Sequence, residues 1–234
     1  IHVVTTGAVF AEPVAEMGIA MALNLARGII GADTDFRAGT ELWGGDGNAS
    51  ARLLSGAEVG IIGFGELGRA LNRLLTGFRP VTRVYDPWLP PSVSRAQGVE
   101  AAGLDEVLSQ SDFVFCLASV TTENVGFLGA DAFAMIRRGA AFILLSRADV
   151  VNFPYLIAAV ASGHILAASD VFPQEPLAPD HPVRGLDGFI RSAHRAGALD
   201  AGLAGDHAAG RQVAVFAMYR HGALRLDDVV HVQQ

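Results

Sequence analysis

Apolar residues recur along this chain in two alternating rhythms. Short, almost continuous apolar runs sit at 58–62 (Glu-Val-Gly-Ile-Ile), 81–85, 113–117 (Phe-Val-Phe-Cys-Leu), 141–145 (Ala-Phe-Ile-Leu-Leu), 165–169 and 188–191. Between them lie stretches with helical spacing at 66–76, 104–109, 130–136 and 153–161, and a short apolar element at 99–101 precedes the second of these. Strands that are apolar on both faces belong in a parallel sheet covered on both sides, and strand–helix alternation supplies the covering. The pattern predicts an α/β protein built on a doubly wound parallel sheet.

The flanks differ. Residues 2–7 read as a strand end and turn, followed by a helix over Pro13–Ile30. Met17, Ala20, Met21 and Leu25 mark one apolar face of that helix, and Ile19, Ala22 and Ala26 mark much of another, so it is expected to be covered on more than one side, by its own core or by a second subunit. Residues 31–55 are rich in Gly, Asp, Asn and Ser and predict a loop with short helical turns, with Phe36, Leu42 and Trp43 as anchors. Residues 199–220 predict a further helix and 227–232 an extended tail.

Composition narrows the classes. With 234 residues and 51% hydrophobic content the chain can bury a substantial core. A net charge of −7 argues against nonspecific nucleic-acid binding and against an anionic membrane surface. The single cysteine, Cys116, lies inside an apolar run, which excludes a disulfide framework, fits a cytoplasmic setting and points to a buried strand residue rather than a nucleophile. No stretch is apolar for long enough to span a bilayer, no signal peptide is evident, and the histidines show no metal-ligand spacing.

The most informative stretch is 57–68. After the apolar run ending at Ile62 come Gly63-Phe64-Gly65-Glu66-Leu67-Gly68, in the G-x-G-x-x-G spacing between a strand and a helix. The first glycine permits the turn, the second lets backbone approach a pyrophosphate, and the third lets helix pack on strand; the helix start then turns its amides toward phosphate. The next strand ends at Asp86, about 20 residues further on, where a carboxylate can accept from the adenosine ribose hydroxyls. The same Asp86, preceding Pro87, also suits an ordinary turn.

In an open parallel sheet, ligands bind beyond the carboxyl ends of the strands. The polar residues just past those ends are Ser119 and Thr121, Ser146 and Arg147, Asp170 with Glu175, and Ser192 with His194. A guanidinium, carboxylates and an imidazole gathered on one edge suit acid–base chemistry on a small anionic substrate beside a nicotinamide. Taken singly, each has a plainer use: Arg147 paired with Asp149, Asp170 capping the following turn, Glu175 solvated before Pro176, His194 a satisfied loop residue.

Together these pieces resemble the NAD-dependent D-isomer-specific 2-hydroxyacid dehydrogenases. The resemblance rests on Val14-Ala15-Glu16, the glycine turn with Asp86, Leu145-Ser146-Arg147, Asp170-Val171-Phe172-Pro173-Gln174-Glu175-Pro176-Leu177 and Ser192-Ala193-His194, in order across roughly residues 10–200. It implies a Rossmann-type NAD-binding domain at 13–198, the end of a mostly upstream second, substrate domain at 1–12, and a C-terminal segment at 199–234 returning toward that domain. It implies His194 as general acid–base, Glu175 as the group that fixes its tautomer and stabilises imidazolium, and Arg147 as the partner of the substrate carboxylate. Asp170 would accept from the nicotinamide carboxamide, and Ser119, Thr121 and Ser146 would line the cofactor with Gly63–Gly68 and Asp86. NAD is expected over NADP, because Asp86 would repel a 2′-phosphate and no arginine follows it closely.

The implied reaction is hydride transfer between NAD(H) and a small D-2-hydroxy or 2-keto acid, in a homodimer contacting through the Val14–Ile30 helix. Several neighbours of the chemical residues depart from the family pattern: the usual Asn-Thr-Ala-Arg-Gly reads Leu144-Leu145-Ser146-Arg147-Ala148, the usual Thr-Pro-His reads Ser192-Ala193-His194, and the usual proline-threonine run reads 118–122, Ala-Ser-Val-Thr-Thr. These departures keep open an alternative, an NAD(H)-sensing regulatory protein with little turnover. Formate or phosphite oxidation is disfavoured, because formate enzymes of the group pair the histidine with glutamine.

Overall fold

The structure, a computed structural model, describes residues 7–197. Seven strands form one sheet: β1 (Glu58–Ile62), β2 (Val81–Tyr85), β3 (Glu100–Ala101), β4 (Phe113–Cys116), β5 (Ala141–Leu144), β6 (Leu166–Ser169) and β7 (Phe189–Arg191). Their order is β3-β2-β1-β4-β5-β6-β7 and every pairing is parallel, so the chain starts in the middle, winds to one edge and returns to wind to the other. The reversal falls between β1 and β4, where such sheets open a crevice. The strand positions agree with the apolar runs to within about a residue at each end, the ordinary looseness of element boundaries.

Side-chain alternation along the strands divides the core in two. Val59, Ile61, Phe113, Phe115 and Ile143 pack with the helices α1 (Gly7–Arg27) and α3 (Glu66–Leu75). Ile62, Val114, Cys116, Phe142 and Leu144 pack with α5 (Leu104–Gln110), α6 (Ala130–Met135) and α7 (Phe153–Ala161). The sheet is thus covered on both faces, as the pattern predicts, and Cys116 is buried with its thiol pushed up to about 12 by desolvation. No single helix among the described residues is long and apolar enough to cross a membrane.

The N-terminal region departs from expectation. α1 begins at Gly7 and carries Pro13 inside it. It ends at Gly28, whose φ of 63° breaks the axis, and α2 (Ile29–Ala38) continues at a 58° bend. Part of the broad apolar surface of α1 is taken up by its own domain: Val14, Ala15, Met21, Ala22 and Ala26 are buried and the helix packs on α3, β5 and β6, while Met17, Ile19 and Leu25 are half-buried and Ala20 is exposed. It lies so close that a Cβ on Gly18 would meet Leu145 Cδ1 at 2.8 Å. The loop expected at 31–55 contains most of α2, held at its far end by Gly39 with φ 69° and braced by Arg37–Asp33 one turn apart at 2.7 Å. A short helix, α4 (Pro91–Ala96), also opens at Pro91, Pro occupying the first helical position it tolerates. The helix and tail expected at 199–220 and 227–232, and most of the strand end at 2–7, lie outside the described residues.

Candidate active site

The glycine turn is built by steric exclusion. Gly63 has φ 90°, and a Cβ there would stand 2.5 Å from both N and Cα of Ala118 on the neighbouring crossover. A Cβ on Gly68 would meet Gly63 O at 2.5 Å, so helix and strand can touch only through glycine. At Gly65, by contrast, nothing lies within 4 Å of the Cβ position. That open cradle at the start of α3 is what a pyrophosphate needs, and it fits the dinucleotide reading.

Asp86 ties the turn to the next strand. Its Oδ2 accepts from Phe64 N–H at 2.8 Å and its Oδ1 from Trp88 N–H at 3.0 Å. Phe64 contributes backbone only, since its ring is fully buried. Leu67 is partly buried against the core, and Glu66 is exposed and paired with Arg69 at 2.6 Å. Beyond β4, Ser119 and Thr121 are exposed on a loop organised by Asn124, whose Oδ1 accepts from Thr121 N–H at 2.7 Å and whose Nδ2 donates to Ser119 O at 2.8 Å. Asn124 was not singled out from the sequence, because its side chain reaches back three and five residues rather than closing the turn that follows it. Ser146 is buried, its hydroxyl 3.4 Å from Cys116 O.

Strand register levels the far end of the site. Leu144, Ser169 and Arg191 are partners across β5, β6 and β7, so the residues following them emerge at one edge. There Glu175 Oε2 stands 2.6 Å from His194 Nδ1, while Oε1 accepts from Phe172 N–H at 2.8 Å. Partial burial pushes the Glu175 carboxyl up, but the hydrogen bonds from His194 and Phe172 and the charges of His194 and Arg147 outweigh it and hold the group below its ordinary value. An ionised Glu175 makes Nδ1 the donor and leaves Nε2 of the exposed imidazole for other work. Arg147 is exposed, donates to Ser146 O at 2.8 Å, and makes no ion pair with Asp149 among the described residues.

Asp170 does not cap the turn that follows it; its side chain reaches the loop after β7 instead. It is 1% exposed, and its carboxylate accepts from Arg195 N–H (2.9 Å) and Ala196 N–H (2.8 Å) while its backbone oxygen accepts from His194 N–H (2.8 Å). The backbone it grips is unusual, for His194 has φ 52°, a left-handed conformation that non-glycine residues adopt only when held there. A separate open cleft, lined by Gly163, Leu166, Leu186 and Gly188, lies at the opposite ends of β6 and β7, away from every one of these groups.

A doubly wound sheet with a glycine turn at its switch point and an imidazole–carboxylate pair with a guanidinium beside it defines a dinucleotide-dependent oxidoreductase domain. The family model for the NAD-binding domain of D-isomer specific 2-hydroxyacid dehydrogenases matches residues 19–196, and the chain belongs to that family, with NAD as its cofactor. It is similar to a crystal structure of a phosphoglycerate oxidoreductase from Rhizobium etli, at 60% identity and TM-score 0.82 over 96% of this chain and 72% of that one. It is 31% identical over 202 residues to a glyoxylate reductase of Korarchaeum cryptofilum, covering 85% of this chain and 60% of that protein. It is 29% identical over 181 residues to a D-3-phosphoglycerate dehydrogenase of Mycobacterium leprae, covering 77% and 34%. The chain therefore spans about 60% of the first of these curated relatives and 34% of the second.

Proposed function

We propose that the protein carrying this domain is an enzyme that moves a hydride between NAD(H) and C2 of a small 2-hydroxy or 2-keto acid of D configuration. The 2.6 Å contact between His194 Nδ1 and Glu175 Oε2 carries the reading, because it leaves one ring nitrogen poised for a proton. Bound NAD supplies or accepts the hydride. His194 Nε2 takes the hydroxyl proton in oxidation and returns it in reduction. Glu175 fixes the ring and stabilises the imidazolium. Arg147 pairs with the substrate carboxylate through its planar fork and polarises the adjacent carbonyl. Gly63–Gly68 and Asp86 orient the cofactor, and Ser119, Thr121 and Ser146 line its path. The relatives named above all carry enzyme names, and the sensor alternative finds no support in them.

The enzyme is proposed to work as a homodimer in the cytoplasm, with Asp86 selecting NADH over NADPH. An NADH-consumption assay on a panel of 2-keto acids tests the reading. His194→Ala is expected to lower kcat by about a hundredfold or more, the scale of a positioned acid–base, with NADH affinity nearly unchanged. Equal loss of turnover and NADH binding would identify a structural histidine instead.

A further inference from the structure

The loop between β6 and β7 carries Glu175, and burial does little to hold it, since residues 173–176 and 178–180 are exposed. Two arginines grip it instead. Arg184 folds back and donates through Nε to Ala178 O at 2.7 Å and through Nη2 to Leu177 O at 2.6 Å, just past Glu175 in the chain. Arg191, the last residue of β7, donates through Nε to Val183 O at 2.6 Å and through Nη2 to Leu186 O. The two forks act in series. Arg191, shortly before His194, holds the helical turn Pro182–Gly185 and the residue after it, and Arg184, inside that turn, holds the chain beside Glu175. The core anchors the turn itself through the buried Val183, so the arginines govern what lies on either side of it. The His194 side is clamped by Asp170, whereas the Glu175 side chain has, besides His194, only Phe172 N–H. Among the described residues neither guanidinium makes an ion pair. Their donors end on carbonyls, in hydrogen bonds that the positive charge strengthens. A guanidinium stays charged at every working pH and presents its donors in a rigid plane, which suits it to fixing two carbonyls at once.

We infer that Arg184 and Arg191 are positioning residues of the acid–base pair: acting in series, they hold the loop of Glu175 against the strand that leads to His194, and so set the 2.6 Å contact between Glu175 Oε2 and His194 Nδ1. This rests on the function proposed above and assigns the precision of its proton transfer to two side chains whose own donors end on backbone. A misplacement of about 1 Å in such a pair can cost about a hundredfold in rate.

Arg184→Gln and Arg191→Gln, made in the full-length protein and again in the Glu175→Gln background, test this with NADH and the 2-keto acid turned over fastest in a panel. Each single variant is expected to lower kcat by about tenfold while NADH Kd and keto-acid KM stay within about twofold. In the Glu175→Gln background the same substitutions should change kcat by less than about twofold, because no carboxylate is left to misplace. Arg184→Lys should recover part of the loss. A full further loss in that background, an unchanged kcat in both single variants, or an equal loss of kcat and NADH affinity overturns the inference, the last by marking supports of the whole fold. The ring 15N shifts of His194, assigned by comparison with His194→Asn, give a reading that needs no turnover. Wild type should show the Nδ1–H tautomer that Glu175 enforces, and the arginine variants a mixture with Nε2–H. A mixture already present in wild type, or an unchanged tautomer in both variants, overturns the inference. A wild type that turns over no 2-keto acid defeats the proposed function, and the tautomer still decides on the arginines.

Discussion

At the scale of single residues, the candidate site is a set of groups held by hydrogen bonds that leave few alternatives. Asp170 carries the most: three successive amides, 194 to 196, end on its carboxylate and backbone oxygen, and the first belongs to a residue in a left-handed conformation. Asp170→Asn replaces one acceptor by an NH2 that faces a buried N–H, an unmet bond costing about 1–3 kcal/mol. The expected outcome is a Tm lower by several degrees and a kcat loss larger than the loss of NADH affinity; a loss of NADH affinity alone would instead mark Asp170 as a cofactor ligand. Glu175 gives a pH signature. Its carboxyl is held below the ordinary value, so its pairing stabilises the fold fully above the unfolded carboxylate value of about 4.3 and loses that contribution as pH falls through the lower folded value. Wild type should therefore lose Tm over that acidic window faster than Glu175→Gln, and parallel curves would show that the pair contributes nothing. The residue types of this site were legible because the chemistry restricts them. The clamp by Asp170 was not, because it depends on how the loop after β7 folds back, and a carboxylate at a strand end suits capping and ligand binding equally well.

At the scale of elements, the glycine turn separates two demands that one motif combines. Gly63 is fixed by sterics, with φ 90° and Ala118 backbone 2.5 Å from any Cβ. Gly65 has open space at the same position and an extended φ of −71° that any residue adopts. Gly63→Ala should thus lower Tm markedly, whereas Gly65→Ala should keep Tm near wild type and weaken NADH binding about tenfold or more, read by fluorescence titration against thermal melting. Comparable Tm losses in both would mean that the second glycine serves the fold rather than the ligand. β4 and β5 were readable because a fully buried parallel strand must be apolar throughout. α2 was not, because Gly31, Asp33, Thr34 and Asp35 are poor helix formers and its stop signals, Gly28 and Gly39, act through backbone conformation. α4 opens with a proline that marks a helix start as readily as a loop.

At the scale of the whole molecule, α2 and the segment after it present an unresolved demand. None of the ten residues of α2 is buried, and a helix this short is marginal in water without tertiary packing. Ile29, Ile30, Phe36, Leu42, Trp43 and Leu53 are all exposed, Trp43 by 75% and Leu42 by 70%, with Phe36 and Trp43 in edge contact at 6.4 Å. Apolar side chains concentrated in this way suit an interaction surface. The homodimer proposed through the Val14–Ile30 helix would extend onto this surface, since Ile29 and Ile30 at the start of α2 are exposed. Paired Phe36→Asp and Trp43→Asp substitutions should convert a dimer into a monomer by light scattering after size exclusion and reduce helical signal, leaving the glycine turn intact as read by NADH binding. A wild-type protein that elutes as a monomer at micromolar concentration would sink the dimer, and a double variant that remains dimeric would move the contact elsewhere on the surface.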